Sequence, residues 1–403
     1  MVPEQRTEAV PASPTVSPAA ESARTGVSDR ADSRPAICLN MIVRDEAHVV
    51  REVLDSVAPY IATWVIVDTG SVDGTQDVIR EHMAGLGIPG EIHERPWRNF
   101  GHNRSEALTL AQGHGDYLWV MDADDLIVGT PDFNRLSADG YKMRFGDSAY
   151  NYWRPALFRD GLPWRYAGVV HEIAMCDVAV TEVRLQGEHY ITSRRLGARN
   201  LDPQKYARDR DLLLPEVERN PDDGRSVFYL AQSYYDLGDF AHAQQWYARR
   251  AEMGGWAEEV FVSMFRVALS MSRLGAPSPD VYDAHLRAWE FRPTRAEPLH
   301  AIAQRYREEQ RYRLGYLWAE RAAQIRYPDE DILFIHGDVY AWRSLDEQAV
   351  CASWIGKHYE AFTIFGSLLG RADIPEHERT RIAGNRDFCG KAHANRVLRD
   401  IAP

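Results

Sequence analysis

The spacing of apolar residues changes near residue 200, and this change divides the chain into two parts of different fold class. From residue 36 to about residue 195, short apolar runs alternate with segments of helical apolar spacing. Strands that alternate with helices predict a mostly parallel sheet with helices on both faces. From about residue 202 onward, the apolar spacing is helical almost throughout. The 403 residues suffice for two such domains, each with its own core.

We therefore predict a leader at residues 1–35, an α/β domain at residues 36–200 and an all-α domain at residues 201–403. The leader is rich in Pro, Ala, Ser, Thr, Glu and Arg and has no apolar core, so we expect it to be disordered. No apolar run reaches the roughly 18 residues that a membrane helix needs. The four cysteines lie far apart, which favours a reducing compartment. We expect a cytoplasmic protein without an integral membrane segment.

Composition and charge narrow the classes of partner. A hydrophobic content of 45% with 11% aromatic residues is typical of a globular protein. The formal net charge of −12 disfavours a nucleic-acid partner, because a nucleic-acid-binding protein normally presents a basic face. We therefore expect no nucleic-acid partner.

Four apolar runs predict strands of the sheet, and three segments of helical spacing predict its helices. The predicted strands cover residues 37–43, 64–67, 91–94 and 117–121, and the predicted helices cover residues 47–57, 75–83 and 103–111. Parallel sheets bind their ligands at the carboxyl ends of their strands. Three polar clusters stand at those ends: Asn40 with Arg44, Asp68 with Thr69, and residues 122–125. We expect all three at one edge of the sheet.

The cluster after the fourth predicted strand is strongly acidic. Asp122, Asp124 and Asp125 follow the apolar run with no basic residue among them. Carboxylates this close repel one another unless a cation or hydrogen-bond donors lie between them. Their oxygens suit a hard divalent cation that keeps open positions for phosphate oxygens. A solvated turn or a helix cap is the structural alternative.

The triplet Asp68-Thr69-Gly70 also occurs in aspartic proteases. That chemistry needs two such aspartates that share one proton. The chain contains no second triplet of this kind, and the first lies in an alternating α/β region. The triplet therefore does not indicate a protease.

The helical part begins with a recognisable repeat. Residues 228–253 read as helix, glycine turn at Gly238, and helix, with small and aromatic residues interleaved, which is typical of a tetratricopeptide (TPR) repeat. Looser copies follow at residues 257–290, 296–326 and 340–369. Aromatic residues at helical spacing are usually core. The functional alternatives for such a stack are a concave groove for a peptide or protein, or a surface for a homodimer.

Four motifs in series resemble family 2 glycosyltransferases of the GT-A fold. They lie at residues 39–46, 67–75, 100–108 and 122–125. The resemblance covers about residues 36–195, and the helical part is similar to the repeat domain of one bacterial branch, near the peptide S-glycosyltransferases. It implies an α/β GT-A domain, Rossmann-like with a mostly parallel sheet, followed by an all-α domain of TPR-like repeats.

The resemblance also implies a set of donor-binding residues. Asp68 is expected to hydrogen-bond the nucleoside, with Thr69 and the backbone near Asn40 lining that pocket, although many relatives carry a second aspartate at position 69. Asn103 and Arg104 are expected to meet the nucleotide, and Arg44 is a second candidate, because a planar guanidinium suits carbonyl and phosphate oxygens. The structural alternative for Arg104 is a surface pair with Glu106 or Asp116.

By the same resemblance, Asp122 and Asp124 form the metal pair for Mn²⁺ or Mg²⁺. In this fold the last aspartate usually touches the ion, while the first reaches the ribose or a bound water. The ion would offset the charge that builds on the departing nucleoside diphosphate. His189 is expected near the metal or the diphosphate, with His171 as the rival, although a lone histidine is more often structural.

Residues 164–172 are similar to the stretch in which the acceptor meets the sugar in related enzymes. Inverting transfer needs one carboxylate to remove the acceptor proton. Glu172 is the first candidate for this base, and Asp125 is the second. Trp164 is expected to form one wall of the sugar site.

The sequence therefore predicts an inverting, metal-dependent glycosyltransferase. We expect the donor to be a nucleotide sugar, UDP-linked in view of the family, and the acceptor to be a peptide, a protein or a glycan. The alternative is a repeat-based binding or scaffold protein whose nucleotide-sugar-binding domain has lost activity.

Overall fold

The computed structural model describes residues 34–146 and 151–400. At residues 151 and 400 it describes the backbone only. The predicted leader at residues 1–35 lies outside the described residues, apart from its last two positions. Within the described ranges, no helix combines the length and the apolar character needed to cross a membrane.

The first part of the chain is built on a sheet to which nine strands contribute in the described residues. The strands along the main path run in the order β3-β2-β1-β4-β7-β6-β11-β5, and β10 pairs with β6. Their bounds are β1 Ile37–Val43, β2 Thr63–Asp68, β3 Gly90–Glu94, β4 Tyr117–Val120, β5 Asp125–Val128, β6 Gly140–Gly146, β7 Asn151–Arg159, β10 Glu182–Arg184 and β11 Tyr190–Ser193. A separate hairpin consists of β8 Trp164–Ala167 and β9 Ile173–Cys176.

Strands β3, β2, β1 and β4 are parallel to one another, whereas β7 returns antiparallel to β4. The parallel half is the part that the alternation of strands and helices predicts. Further along, β6 pairs antiparallel with β7 and parallel with β11, and β11 pairs antiparallel with β5. The predicted mostly parallel α/β architecture, followed by a helical domain, is confirmed.

The two faces of the parallel half are buried in separate clusters, since successive side chains of a strand point to opposite faces. On β1, Ile37 and Leu39 belong to the larger cluster, which includes helix α1 Val50–Val57 and helix α2 Thr75–Leu86. Cys38 points to the other face, towards helix α3 Phe100–Ala111 and the β8–β9 hairpin.

Helix α1 begins at Val50, three residues later than predicted. Asp45 has a φ of +56°, and the carbonyl of Glu46 accepts hydrogen bonds from the amides of Val49 and Val50. These contacts form a turn after β1 that delays the regular helix. A 3-10 helix at Ala58–Tyr60 follows α1.

The second part of the chain is helical, and consecutive helices pack against each other in pairs, as TPR-like repeats do. A short helix, α4 Ala198–Leu201, precedes them. The others are α5 Lys205–Arg219, α6 Gly224–Asp236, α7 Phe240–Glu252, α8 Ala257–Arg273, α9 Ser278–Phe291, α10 Glu297–Glu308, α11 Tyr312–Ala323, α12 Ser344–Trp354, α13 His358–Leu369 and α14 Glu376–Asp400, with a π-helix at Val339–Arg343 before α12.

The segment between α11 and α12 lies across the first helices of three successive hairpins. Phe334 stacks on Phe228 of α6 with ring centroids 6.0 Å apart, and Glu258 of α8 accepts hydrogen bonds from the amides of Ile332 and Leu333. Arg295, which is 1% exposed, donates to the carbonyl oxygens of Leu333 and Phe334. The chain thus covers this face of the repeats with its own backbone.

Candidate active site

The predicted polar clusters share one edge of the sheet. In the register of the parallel strands, Val43 is paired with Asp68, and Asn40 is paired with Val120, two residues before Asp122. Strand β1 lies between β2 and β4, so Asp68 and Asp122 stand on either side of it. Two strand spacings correspond to about 10 Å. This span leaves room for a ligand that reaches across β1.

Asp68 is 1% exposed and closes a tight turn after β2. Its Oδ1 accepts hydrogen bonds from the amides of Gly70 and Ser71, both at 2.9 Å. Its Oδ2 is buried and has no partner among the described residues. Such atoms are rare in folded proteins and cost free energy unless a ligand or water satisfies them.

Arg104 of α3 connects two carboxylates of the site. Its Nε donates to Oε1 of Glu172 at 2.5 Å, and its Nη2 donates to Oδ1 of Asp122. Its Nη1 is buried, and no residue within 34–146 or 151–400 is its partner. The alternative pairing with Glu106 or Asp116 is wrong, because Glu106 pairs instead with Arg95 and Asp116 accepts from the amide of Ala36.

Asp122 is held by two arginines. Arg154 of β7 donates to Oδ2 at 3.4 Å, opposite the bond from Arg104. Burial opposes ionisation of this carboxyl, but the two guanidinium groups outweigh burial and hold its pKa below the usual value. Asp122 is therefore a charge-compensated carboxylate.

Asp125 differs from Asp122 in its surroundings. It is 1% exposed; its Oδ2 accepts from the amide of Asp122 at 3.3 Å, and its Oδ1 is buried without a partner. Burial, followed by repulsion from Asp122, raises the pKa of Asp125 to about 7. A carboxyl group with a pKa near neutrality suits proton transfer.

Asp124 and Glu46 share the backbone that follows the last strand. The amide of Gly197 donates to Oδ2 of Asp124 at 2.9 Å, and the amide of Ala198 donates to both carboxylate oxygens of Glu46. The backbone and side chain of Arg194 both donate to the carbonyl of Asp124. The pKa of Glu46 is raised to about 7, mainly by burial. The hydrogen bond from the amide of Ala198 acts in the opposite direction, and the charge of Asp124 adds to the rise.

The carboxylates fit the predicted divalent cation in part. Oδ1 of Asp124 accepts no hydrogen bond from the described residues and so keeps its lone pairs free. Asp122 has both oxygens engaged by arginines. In residues 34–146 and 151–400, no group of three His, Cys, Asp or Glu side chains is arranged to hold a metal ion. A cation would therefore rely on Asp124, with its remaining ligands from the nucleotide and water.

Three predicted donor-binding residues use their side chains inside the protein. Asn40 donates from Nδ2 to the carbonyls of Val65 and Ala107, which ties β1 to β2 and α3. Thr69 donates from its hydroxyl to the carbonyl of Val43. Oδ1 of Asn103 accepts from the amide of residue 98, and its Nδ2 donates to the carbonyl of residue 96. Their polar atoms hold the loops of the site, and the contact of these residues with a donor stays a prediction.

Trp164 is not a wall of the sugar site. It is 6% exposed and packs on Phe158 with ring centroids 4.8 Å apart, in the cluster beneath α3. It pairs with Cys176 at the end of the β8–β9 hairpin that is remote from Glu172. The side chain of Arg44 is 54% exposed, and its Nε stands 3.7 Å from Oδ2 of Asp45.

The structure brings neither histidine to the acidic cluster. His189 lies beside Gly129, since a Cβ on that glycine would stand 3.1 Å from the histidine Cα. Gly129 is four residues along the chain from Asp125, or about 13 Å in an extended strand. The ring of His171 stacks on Tyr229 of α6. The predicted metal contacts are corrected, because strand register and this stacking direct the two rings elsewhere.

Sequence reasoning missed Glu46, Arg154 and Gly197. Glu46 stands in the first motif, directly after Arg44 and Asp45, but no function was assigned to it. Arg154 is on a strand whose antiparallel return to β4 the alternation of strands and helices does not predict. Gly197 has no sequence signal beyond its place after the last strand. Its contact with Asp124 spans 73 positions of the chain.

Comparison with known proteins assigns this first part to a family. Residues 38–129 match the family model described as glycosyl transferase family 2. The chain carries a family 2 glycosyltransferase domain. The match includes Asp68, Arg104 and the acidic cluster at residues 122–125, and it ends before Glu172 and the helical part.

A curated relative and two solved structures are similar to parts of this chain. The relative is a TPR repeat-containing protein of Synechococcus elongatus, 34% identical over 92 residues that cover 23% of this chain and 21% of the relative. The alignment thus spans about a fifth of the relative's length.

The solved structures are BtubC of P. vanneervenii and MamA. BtubC has a TM-score of 0.38 and 12% identity over 49% of this chain and 85% of its own. MamA has a TM-score of 0.33 and 11% identity over 49% of this chain and 98% of its own. Values this low assign no function to the helical part.

Proposed function

We propose that the protein is an inverting glycosyltransferase that moves a sugar from a nucleotide-sugar donor, UDP-linked, to a peptide, protein or glycan acceptor in a metal-dependent reaction. The family 2 domain supports glycosyl transfer in general. The nucleotide-sugar donor, the metal dependence and the acceptor go beyond what the family match supports.

One observation carries the proposal. Two buried polar atoms of opposite hydrogen-bonding character have no partner in the described part of the chain, the acceptor Oδ2 of Asp68 and the donor Nη1 of Arg104. Both belong to motifs at the carboxyl edge of the parallel strands. A nucleotide offers N–H and hydroxyl groups to the first and phosphate or carbonyl oxygens to the second. A nucleotide-sugar donor satisfies both in one binding event.

In this account Asp68 binds the nucleoside and Arg104 orients the nucleotide. Arg104 also fixes Glu172 through the bond at 2.5 Å, so the donor site and the candidate base are positioned by one side chain. Glu172 would accept the proton of the acceptor hydroxyl, thiol or amide as that group attacks the anomeric carbon. Asp125, with a pKa raised to about 7 by burial and by Asp122, is the alternative base.

Asp124 would hold Mn²⁺ or Mg²⁺ through its free Oδ1, with Asp122, whose two oxygens accept from arginines, beside it. When bound, the ion supplies positive charge that offsets the charge on the departing nucleoside diphosphate. Arg104 and Arg154 already place two cations beside Asp122. These cations remain in the site whether or not an ion is bound.

The helical part informs the choice of acceptor. In a repeat stack, the first helices of the hairpins commonly line the groove that binds peptides. Here residues 331–334 lie over α8 and α10. The backbone of this segment forms hydrogen bonds with the side chains of Glu258 and Arg295. A peptide acceptor would therefore approach the catalytic edge directly. The scaffold alternative, with a docked protein and no turnover, would require this segment to leave. A homodimer through the repeats stays a prediction.

The experiment is a donor-cleavage assay with water as the acceptor. Release of nucleoside diphosphate is measured for a panel that includes UDP-glucose, UDP-N-acetylglucosamine and GDP-mannose, with Mn²⁺ and with EDTA. The proposal expects Mn²⁺-dependent release from one UDP-sugar and its loss in Asp124→Ala. Binding of a UDP-sugar without cleavage, and without transfer to peptide or glycan libraries, would favour the scaffold alternative.

A further inference from the structure

The loop that carries Glu172 is held by the helical part of the chain. Residues 168–172 connect β8 to β9. Val169 and Val170 of this loop pack in the hydrophobic cluster formed by helices α5 to α8. The tip of the β8–β9 hairpin therefore belongs to the core of the helical part, whereas its base belongs to the core of the sheet.

His171 makes the closest of these contacts. Its ring is stacked on Tyr229 of α6, with centroids 3.9 Å apart and an interplanar angle of 13°. Its carbonyl oxygen accepts two hydrogen bonds from Arg225, at 3.1 Å from Nε and 2.8 Å from Nη2. The guanidinium of Arg225 also lies over the ring of Tyr229, 4.9 Å from its centroid. Two residues of α6 thus fix both the ring and the backbone of His171.

The backbone of the loop needs such support. His171 has a φ of +53°, in the left-handed region that non-glycine residues rarely adopt. A residue in this region costs of order 1–3 kcal/mol and persists where its surroundings over-determine it. Burial, followed by the nearby cations of Arg199, Arg225 and Lys205, lowers the pKa of His171 to about 3, so the stacked ring is neutral.

Glu172, the residue after His171, faces the catalytic edge. Glu172 accepts from Arg104 of α3, and the carbonyl of Val169 accepts from the amide of Phe100 at 3.0 Å. The loop is therefore held between α3 on the side of the sheet and α6 on the side of the repeats. A shift of His171 would be passed directly to the adjacent Glu172.

From this arrangement we infer that Tyr229 and Arg225 of α6 are positioning residues for Glu172, which they reach through His171. The inference rests on the proposed function for the role of Glu172. The contacts themselves do not depend on it. A misplacement of about 1 Å in a reacting group can cost about 100-fold in rate, so loss of the stacked ring should lower turnover while leaving the donor site intact.

The experiment compares three variants of the full chain. Tyr229→Ala removes the stacked ring, and Tyr229→Phe keeps it. Tyr235→Ala is the matched control, because Tyr235 is a half-buried tyrosine of the same helix that contacts Phe240 and Tyr247 rather than the loop. Hydrogen–deuterium exchange of residues 168–172 is measured together with kcat, the KM for the cleaved UDP-sugar and the melting temperature.

We expect Tyr229→Ala to accelerate exchange at residues 168–172 at least 10-fold and to lower kcat by about 10- to 100-fold. The KM for the donor should change less than twofold, and Tyr229→Phe should resemble the wild type in all measurements. Tyr235→Ala should lower the melting temperature without a change in kcat or in exchange of the loop.

Two results would overturn the inference. One is unchanged exchange at residues 168–172 in Tyr229→Ala, which can be read even from an enzyme that cleaves no donor in the panel. The other is an equal loss of kcat in Tyr229→Ala and Tyr235→Ala. That result would show that the loss of kcat comes from general destabilisation of the protein. Failure of the proposed function is distinct from both, since it would appear as no cleavage or transfer by the wild-type chain.

Discussion

Gly197 donates its backbone amide to Oδ2 of Asp124 at 2.9 Å and lies so close to Glu46 that a side chain would press on that carboxylate. A Cβ at this position would stand 3.1 Å from Oε1 of Glu46 and 3.4 Å from Cγ of Asp124. The φ of −61° and ψ of 150° at Gly197 suit any residue. The glycine is therefore needed for close approach, and not for its backbone conformation.

Gly197→Ala should lower the free energy of unfolding by about 1–3 kcal/mol, as overpacking of a tight contact does. Urea denaturation measures this change. The matched control is Gly85→Ala, in helix α2, where a Cβ meets nothing within 4 Å. That variant should be unchanged or more stable by up to about 1 kcal/mol. Equal stability of Gly197→Ala and the wild type would contradict the close approach.

Arg104→Met should be much more destabilising than Arg154→Met. The first change leaves both Asp122 and Glu172 without their closest cation, and breaking a buried pair typically costs about 3–5 kcal/mol. After the second change, Asp122 keeps Arg104, and the lost contact is 3.4 Å long with an arginine that is 37% exposed. Urea denaturation of both variants gives the comparison. A loss in Arg154→Met as large as that in Arg104→Met would show that the two pairs are equivalent.

Glu172→Gln should keep donor binding and lose turnover. The amide retains an oxygen that can accept from Arg104, but it cannot take the acceptor proton. General-base catalysis contributes roughly 10²- to 10⁴-fold, which sets the expected loss in kcat. Asp125→Asn, measured in the same assay, tests the alternative base. Near-full transfer by Glu172→Gln, together with loss in Asp125→Asn, would assign the base to Asp125.

The helical part should lose stability in acid through its buried histidines. Burial, with a smaller effect of Arg305, lowers the pKa of His285 to about 3, and burial lowers that of His300 to about 4. An unfolded histidine has a pKa near 6.5. Between these values the unfolded chain binds more protons than the folded chain, so the free energy of unfolding falls as the pH drops from about 6.5 towards 3.

His285→Gln should reduce the loss of unfolding free energy between pH 7 and pH 4.5 by on the order of 1–2 kcal/mol. Urea denaturation at the two pH values measures it. The control is His377→Gln, because the side chain of His377 is 80% exposed. An identical pH dependence in His285→Gln and the wild type would show that this histidine does not contribute.

The strands of the parallel half could be predicted because their signals are local. The apolar runs at 37–43 and 117–121 and the helical spacing between them are enough to place Asp68 and Asp122 at one edge. Roles that depend on remote partners could not be predicted. The amide of Asn40 is used by carbonyls 25 and 67 positions away, which no local pattern signals.

Aromatic residues and histidines near a motif illustrate the same limit. Trp164 and Glu172 stand in one motif, yet the pairing of β8 with β9 puts them at opposite ends of a hairpin. His189 is separated from Asp125 by the register of β11 on β5. Register follows from the packing of the whole sheet, so the resemblance of the motifs could not fix the environment of either residue.

The central claim is that the edge formed by Asp68, Arg104 and the acidic cluster binds a nucleotide-sugar donor. A thermal-shift panel of UDP-, GDP- and dTDP-sugars, each with Mn²⁺ and with EDTA, tests it most directly, since a ligand that binds only the folded state raises the melting temperature. The account predicts a Mn²⁺-dependent rise with a UDP-sugar that Asp124→Ala abolishes. No rise with any sugar nucleotide, or an equal rise in Asp124→Ala, would contradict it.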